Sequence, residues 1–271
     1  MPELPEVETT RRGLEPHLLG RRIHRLTLRD ARLRWPVPND LPARLAGHRV
    51  LSLNRRAKYL LLETDGPALL LHLGMSGSLR RCAPGTPLRT HDHLVFTLDD
   101  GFEIRLHDPR RFGCCLPLPE APAVHALLAS LGPEPLGDDF DGTYLHRLSR
   151  GRRAAVKSFI MDQQVVVGVG NIYASESLFL AGIRPGRAAG RVSRAEYREL
   201  ARHIRAVLSD AITQGGTTLR DFVREDGSHG YFRQHLRVYG REGQSCLTCA
   251  TPIRNRRIGN RASTYCPTCQ R

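Results

Sequence analysis

The chain has 271 residues, more than most single domains, and its 40% apolar and 25% charged residues are typical of a globular protein rather than a disordered one. Lysine and arginine number 41 against 27 aspartates and glutamates, so the formal net charge is +14. A charge of this sign attracts polyanions. Nucleic acid is the leading partner class, although an anionic membrane surface or a ribosome would also fit the charge.

The first residues, MPELPEVETT, form neither a basic leader nor an apolar stretch of signal-peptide length, and no apolar run is long enough to span a membrane. We therefore expect a cytoplasmic protein without a membrane partner, and a monomer by default. Four of the seven cysteines have metal-ligand spacing, which disfavours a disulfide framework. We interpret the other three as small buried or semi-buried thiols: Cys82, Cys114 and Cys115.

The first predicted element is a short helix from Pro5 to about Leu14, with proline and acidic residues in its first turn. Short β-like runs follow between Arg22 and Leu106, and they predict two packed, mostly antiparallel sheets. The runs are IHRLTL, VLSLN, KYLLLE, ALLLHL, HLVFTL and FEIRL. The last two predict a hairpin, because Asp100 and Gly101 are residue types that adopt positive φ in a tight turn.

A cluster of proline, glycine and acidic residues between about Pro117 and Asp139 predicts a hinge, beyond which the pattern is helical. The clearest helix begins at Ser193, where Ser-Arg-Ala-Glu predicts a capping box, and Gly215 and Gly216 end it. Pairs of arginines recur along the chain, and we expect most of them to be solvated or to face phosphate. They lie at 11–12, 21–22, 55–56, 110–111, 152–153 and 256–257.

Near the carboxyl end, four cysteines have the spacing of a four-thiolate zinc site: Cys246, Cys249, Cys266 and Cys269. Sixteen residues separate the two pairs, and four of these are arginines, which predicts a small β-hairpin finger with a basic tip. Four protein thiolates leave no open position for water or substrate. The zinc is therefore predicted to be structural.

The amino terminus carries a second chemical signal. Methionine before proline is normally removed, which exposes the secondary amine of Pro2. An α-amino group has a pKa of about 7.7–8.0, against about 10.4 for lysine, so more of it is neutral and nucleophilic at pH 7. The adjacent Glu3 is suited to proton transfer. Taken alone, a Pro-Glu beginning is common and usually has no catalytic role.

Several segments together resemble the formamidopyrimidine-DNA glycosylase family, and the resemblance extends from Pro2 to Gln270. The segments are PELPEVETTRRGLEP, RRAKYLLLE, HLGMSGSLR, DPRRFG, LGPEPL, VVGVGNIYASESLF, QGGTTLRDF and the cysteine finger. The resemblance implies an α+β fold in three parts. These are an amino-terminal two-sheet β-sandwich (residues 2–133), a helix-two-turn-helix domain (134–236) and a zinc finger (237–271).

The resemblance also implies excision of oxidised purines, 8-oxoguanine and formamidopyrimidines, from double-stranded DNA in base-excision repair. Pro2 is then the imine-forming nucleophile and Glu3 the acid/base. Lys58 becomes the proton donor for β-elimination and Arg261 the donor for δ-elimination. Without the family context, Lys58 would be interpreted as a solvated strand residue.

The resemblance places further residues on the DNA: His91, Arg110, Arg152 and Asn171. Met75, Arg110 and Phe112 resemble residues that fill the gap left by an extruded nucleotide, which offsets lost stacking. Core packing is the alternative for Met75 and Phe112. For Arg152, a solvated surface role stays open, because SRGRR differs from the family's lysine-rich version. The polar loop Thr217–Tyr231 resembles a lid over the damaged base.

Three other functions are consistent with parts of the pattern. An enzyme like endonuclease VIII, which excises oxidised pyrimidines, would share the fold, but PELPEV and HLGMSGS favour the purine enzyme. A non-catalytic zinc-finger DNA-binding protein would keep the basic surface and the cysteines, with no reason to keep Pro2, Glu3 and Lys58 together. A ribosome- or RNA-associated zinc protein is the third alternative.

Overall fold

The computed structural model describes residues 2–118, 126–216 and 236–271. Among these, one compact unit contains residues 2–118, 126–129 and 214–216, and a second contains residues 130–213 and 236–271. The predicted α+β class is confirmed, since helices and antiparallel sheets both occur. We retain the finer division into residues 2–133, 134–236 and 237–271 as a proposal.

The first unit begins with helix α1 (Leu4–Leu18), which ends four residues later than predicted. The extension places Leu14 and Leu18, one helical turn apart, in the core, where 0% and 4% of their surfaces are exposed. A short helix α2 (Leu41–Leu45) follows the first strand. Its two terminal leucines are also buried, so both helices are held by apolar packing.

Eight strands build the rest of this unit. They are β1 (Ile23–Leu28), β2 (Val50–Arg56), β3 (Tyr59–Thr64), β4 (Ala68–His72), β5 (Ser78–Cys82), β6 (Asp92–Leu98), β7 (Glu103–His107) and β8 (Cys114–Leu118). They form two antiparallel sheets, with strand orders β1-β6-β7-β5 and β2-β3-β4-β8. One apolar cluster joins both sheets and α1, which confirms the predicted sandwich.

The strand predictions missed β5 and β8. The predicted β6–β7 hairpin is present, but only Gly101 of its turn has positive φ, +83°. The turn prediction was therefore wrong for Asp100, because the loop runs through four residues and Asp100 Oδ1 instead accepts a hydrogen bond from Phe102 N over 3.1 Å. Part of the predicted hinge, residues 119–125, lies outside the described residues.

The second unit contains helices α3 (Gly142–Ser149), α4 (Val156–Ile160), α5 (Asn171–Leu180) and α6 (Arg194–Thr213), a 3-10 turn (Ala189–Arg191), and a hairpin of β9 (Arg254–Ile258) and β10 (Arg261–Tyr265). The predicted capping box at the start of α6 is confirmed. Ser193 N donates to Glu196 Oε2 over 2.8 Å, and Glu196 N donates to Ser193 Oγ over 3.3 Å. The apolar stripe of α6 is buried along its length.

Two further expectations concern single features. Within the described ranges, no helix is long and apolar enough to cross a membrane. Cys82, Cys114 and Cys115 are buried, as interpreted from the sequence. Burial raises the pKa of the Cys114 thiol to about 12 and that of Cys115 further, so both are protonated at neutral pH.

Candidate active site and metal centre

Pro2 and Glu3 lie at the start of α1. Both are buried, and Glu3 has 1% of its surface exposed. Glu3 takes the extended conformation of an N-cap residue, and its backbone N–H donates to Glu6 Oε2 over 2.8 Å. The positive end of the helix dipole stabilises carboxylates in this position. The fold thus places Pro2 and Glu3 together at the buried start of a helix.

Gly216 packs against the same helix. Its φ is +80°, and a Cβ added to it would lie 3.3 Å from Glu6 Oε1. The segment interpreted as a lid, Thr217–Tyr231, follows directly and lies outside the described residues. The residue that precedes the predicted lid is therefore beside the acidic start of α1.

Lys58 lies in the two-residue connection between β2 and β3. Burial, followed by the charges of Lys58 and Arg34, lowers the pKa of His72 to about 4, so this imidazole is neutral at pH 7. Gly74 N donates to His72 Nδ1 over 3.0 Å, which leaves the ring proton on Nε2. The ring also hydrogen-bonds the backbone of Phe112. His72 therefore connects the segment of Met75 to the segment of Phe112.

Sequence reasoning missed His72, although this residue begins the HLGMSGSLR segment. A single histidine at the end of an apolar strand is a weak signal, and its partners belong to two later loops. Only the pairing of β4 with β8 brings those loops to His72.

Met75 and Phe112 are exposed, with 36% and 42% of their surfaces accessible, so neither side chain belongs to the core. The guanidinium of Arg110 lies 4.9 Å from the centre of the Phe112 ring, a cation–π distance. Between them, Arg111 has a φ of +57° and binds Asp30 through an ion pair of 2.6 Å. An exposed thioether and an arginine-bound aromatic ring are suited to contact unstacked bases.

His91 is half-buried beside two other histidines, with ring centres 6.0 Å from His93 and 5.9 Å from His107. Beneath them, Asp92 is fully buried and binds Arg80 over 3.0 Å and His107 Nδ1 over 2.9 Å. Burial raises the pKa of Asp92, but hydrogen bonds from His107 and Arg89 N and the charge of Arg80 outweigh it and lower the pKa to about 2. The carboxylate that follows His91 in the sequence therefore has its counter-charge, Arg80, within the same sheet.

In the second unit, Asn171 is the first residue of α5 and follows the glycine-rich run Val167-Gly168-Val169-Gly170. Gly168 has a φ of +79°, which a side chain would disfavour. Asn171 Oδ1 is buried, and none of the described residues provides it with a hydrogen-bond partner. The N-terminus of a helix carries the positive end of its dipole, which suits a phosphate.

Arg152 is exposed in the turn after α3. Its backbone is fixed, because Arg152 N donates to Ser149 O over 3.0 Å and its carbonyl accepts from Gly190 N over 2.9 Å. The geometry agrees with phosphate binding and equally with a solvated surface residue.

The four finger cysteines converge. Their sulfurs lie within 4.8 Å of one another, with Cys246 Sγ 3.9 Å from Cys269 Sγ and Cys249 Sγ 3.4 Å from Cys266 Sγ. A tetrahedral ion bound at about 2.3 Å requires sulfur separations of about 3.8 Å. The cysteines thus fit a single thiophilic metal ion.

The finger hairpin turns at Gly259 and Asn260, which both have positive φ, as in a tight two-residue turn between twisted strands. Arg261 follows and is exposed, like the arginines of β9. Behind the hairpin, the buried Lys157 of α4 donates through Nζ to Ala262 O over 3.0 Å and to Ser263 Oγ over 2.8 Å. The strand that begins with Arg261 is therefore anchored to α4.

The candidate residues belong to both units. The first unit contains Pro2, Glu3, Lys58, Met75, His91, Arg110 and Phe112. The second contains Arg152, Asn171, Arg261, Cys246, Cys249, Cys266 and Cys269.

Comparison with known proteins identifies the family. A model of the formamidopyrimidine-DNA glycosylase N-terminal domain matches residues 1–115, and a model of the formamidopyrimidine-DNA glycosylase H2TH domain matches residues 131–223. A formamidopyrimidine-DNA glycosylase of Thioalkalivibrio sulfidiphilus is 65% identical, over 100% of both chains. This chain belongs to the formamidopyrimidine-DNA glycosylase family.

Solved structures of formamidopyrimidine-DNA glycosylases share the fold. MutM (Fpg) of Thermus thermophilus is 39% identical, with a TM-score of 0.88 over 99% of this chain and 98% of that one. A variant of the Lactococcus lactis Fpg, in complex with DNA containing Fapy-dG, is 31% identical, with a TM-score of 0.93 over 100% of both chains. The resemblance drawn from the sequence motifs is confirmed.

Proposed function

We propose that this protein is a bifunctional DNA glycosylase and abasic-site lyase of base-excision repair. It removes oxidised purines, 8-oxoguanine and formamidopyrimidines, from double-stranded DNA. The observation that carries the proposal is the buried Pro2-Glu3 pair at the start of α1 in a member of the family. A non-catalytic DNA-binding protein has no use for such a pair.

After removal of Met1, the neutral amine of Pro2 attacks C1′ of the damaged nucleotide. The new C1′–N bond replaces the glycosidic bond, and the base leaves with a proton. Glu3, held at the helix N-terminus, transfers protons as the sugar ring opens. The product of this step is an iminium ion between Pro2 and the sugar.

Two eliminations then release the sugar from its phosphates. Loss of a proton from C2′ expels the 3′ phosphate. Loss of a second proton from the sugar then expels the 5′ phosphate, which leaves a one-nucleotide gap. Lys58 assists the first elimination and Arg261 the second, because a cation near a phosphate stabilises the charge of the leaving group. Hydrolysis of the remaining imine regenerates the amine of Pro2.

DNA is held by the exposed cations and by the helix N-terminus. We assign phosphate contacts to His91, Arg152 and Asn171. Arg110, Met75 and Phe112 fill the gap that the extruded nucleotide leaves, which offsets a flipping cost of a few kcal/mol. The exposure of Met75 and Phe112 supports this assignment.

The metal ion of the finger is Zn²⁺, bound by Cys246, Cys249, Cys266 and Cys269. Zinc bound by four thiolates supplies folding energy and no open coordination position. It takes no part in the eliminations. The protein acts as a monomer in the cytoplasm, where its substrate is chromosomal DNA.

Borohydride trapping tests this function. Protein lacking Met1 is incubated with duplex DNA containing 8-oxoguanine, and the reduced adduct is measured by intact mass and mapped by peptide analysis. We expect a DNA-sized mass increase on Pro2, none with Pro2→Gly and little with Glu3→Gln. Tight binding to the duplex without an adduct would support a non-catalytic DNA-binding protein, and preferential trapping on an oxidised pyrimidine would support an activity like that of endonuclease VIII.

A further inference from the structure

The turn that carries Lys58 has an unusual backbone. Arg56 pairs with Tyr59 across the β2–β3 hairpin, so only Ala57 and Lys58 connect the strands. Ala57 is fully buried and has a φ of +56°, a region that favours glycine. A side chain persists there only where surrounding contacts hold the backbone in place.

Arg55 provides such a contact. Its Nη1 donates to Ala57 O over 2.9 Å, and its Nε donates to Glu8 Oε2 over 3.0 Å. The two side chains are 12% and 10% exposed. Because the guanidinium is planar and rigid, it couples the position of the Ala57 carbonyl to that of the Glu8 carboxylate.

Glu8 belongs to α1, the helix that begins beside Pro2 and Glu3. Glu8 lies five positions after Glu3, which is about 7.5 Å along the helix axis. Burial raises the pKa of Glu8, but hydrogen bonds from Arg11, Arg12 and Arg55 outweigh it and lower the pKa, so the carboxylate is ionised at neutral pH. A charged, buried link thus joins α1 to the β2–β3 turn.

We propose that Glu8 and Arg55 are positioning residues for catalysis. Together they form a clamp, the Glu8–Arg55 clamp, that keeps Lys58 in a fixed position relative to the helix carrying Pro2. This inference rests on the proposed function, in which Lys58 acts during elimination. Because the Arg55 and Glu8 side chains are only 12% and 10% exposed, we assign the clamp an indirect role, through the turn.

The expected consequence is a selective loss of rate. A displacement of about 1 Å at a proton-transfer group can slow a reaction by up to about 100-fold. We expect Arg55→Met to reduce the single-turnover rate of strand cleavage at a preformed abasic site by about tenfold or more. Affinity for the same duplex should stay within about twofold, because the clamp is internal.

Arg12→Met is the matched control. Arg12 also binds the Glu8 carboxylate, over 2.8 Å, but its side chain is 60% exposed and on the solvent side of α1. Its removal should leave the cleavage rate unchanged. Lys58→Met gives the strand-cleavage rate without the proposed proton donor. The double variant Arg55→Met/Lys58→Met should cleave no more slowly than Lys58→Met alone, because the clamp acts through Lys58.

Ala57→Gly should restore part of the cleavage rate that Arg55→Met loses. A general role of Arg55 in folding does not predict this rescue. Glycine adopts positive φ without strain, so the double variant Arg55→Met/Ala57→Gly should recover at least a third of the lost rate on a logarithmic scale. All variants are compared at a temperature where circular dichroism shows them folded. Recovery together with non-additivity supports the clamp.

Other outcomes overturn it. A wild-type rate for Arg55→Met, or full additivity with Lys58→Met, would show that the clamp does not act through Lys58. The same experiment separates this failure from failure of the proposed function. If Lys58→Met itself cleaves at the wild-type rate, or wild-type protein does not cleave, the assignment of Lys58 or of the lyase activity is wrong.

Discussion

The backbone of Gly74 lies directly against the backbone of Phe112. A Cβ on Gly74 would be 2.6 Å from Phe112 C and 2.5 Å from Gly113 N, and Gly74 has a φ of +65°. Only glycine fits this position. The contact sets the spacing between the segment of Met75 and the loop that presents Phe112, and these residues are two of the three proposed gap fillers.

We expect Gly74→Ala to separate these two segments. The variant should slow excision of 8-oxoguanine from duplex DNA in single-turnover assays by about tenfold, because misplaced groups offset less of the flipping cost. Gly85→Ala is the control. Gly85 has a φ of +78° with nothing within 4 Å of an added Cβ, so it has the backbone strain without the clash. Equal losses of activity in both variants would argue against a specific spacing role.

The buried Asp92 predicts a large loss of stability on neutralisation. Asp92→Asn leaves Arg80 buried without its counter-charge, whereas Arg105 keeps its ion pair with Glu103, and we expect a decrease of about 3 kcal/mol in the free energy of unfolding, measured in urea. Glu199→Gln, which breaks an exposed ion pair with Arg202, should have little effect. A similar small effect for Asp92→Asn would show that its charge is not needed.

The carboxylate of Asp92 also predicts how the stability of the fold depends on pH. The pKa of Asp92 is lowered to about 2 in the folded protein, so its ionised form stabilises the fold above pH 4. This stabilisation is lost as the pH falls from about 4 to about 2. Unfolding midpoints measured across that interval should fall more steeply in wild type than in Asp92→Asn.

The lowered pKa of His72 predicts a second pH dependence of stability, in a higher pH range than that of Asp92. Its folded pKa is about 4 and its ordinary value is 6.5, so the unfolded chain binds the proton first as the pH falls below about 6.5. The free energy of unfolding should decrease by roughly 2 kcal/mol between pH 7 and pH 5 because of this group. His72→Asn can still accept from Gly74 N but does not titrate. Parallel pH profiles for wild type and variant would contradict the assignment.

Loss of the finger's metal ion should weaken DNA binding without preventing imine formation by Pro2. We expect Cys249→Ser to release the zinc, detected with a chromogenic chelator, and to weaken duplex binding by at least tenfold, since the basic hairpin loses its support. At protein concentrations that saturate the DNA, borohydride should still trap Pro2. Cys82→Ala, a cysteine outside the finger, is the control. A variant that binds DNA normally but forms no adduct would overturn this division of roles.

The thiols outside the finger should be unreactive. Burial raises the pKa of Cys114 to about 12 and that of Cys115 further, so almost no thiolate is present at pH 8. Iodoacetamide should alkylate neither residue in native protein and both after denaturation, as measured by peptide mass spectrometry. Rapid native labelling of either cysteine would show that its strand opens readily.

Much of the fold could be predicted because its signals are local. The capping box at Ser193 and the cysteine spacing each depend on residues close in sequence. Strand β5 was missed because Arg80 and Arg81 interrupt its apolar pattern. Arg80 can be buried only because Asp92, on another strand, neutralises it, and that pairing cannot be inferred from either segment alone.

For the candidate site too, some residues could be predicted from the sequence and others depend on contacts between distant segments. Pro2 and Glu3 could be proposed from amine chemistry, and Lys58 and Arg261 from the family resemblance. We expected most of the arginine pairs to be solvated or to face phosphate, and Arg55 is an exception, because it is largely buried against Glu8. That pairing spans 47 residues, so no local pattern indicates it.

The hydrogen bonds of Lys157 have a consequence for protein engineering and for evolution. Its ammonium group donates hydrogen bonds to two acceptors on β10. The carboxylate of Glu176, on α5, accepts hydrogen bonds from three successive backbone N–H groups at the start of the finger segment: Arg237, Val238 and Tyr239. The finger is therefore not an interchangeable module. A chimera that imports a foreign finger keeps these hydrogen bonds only if its backbone follows the same path past α4 and α5.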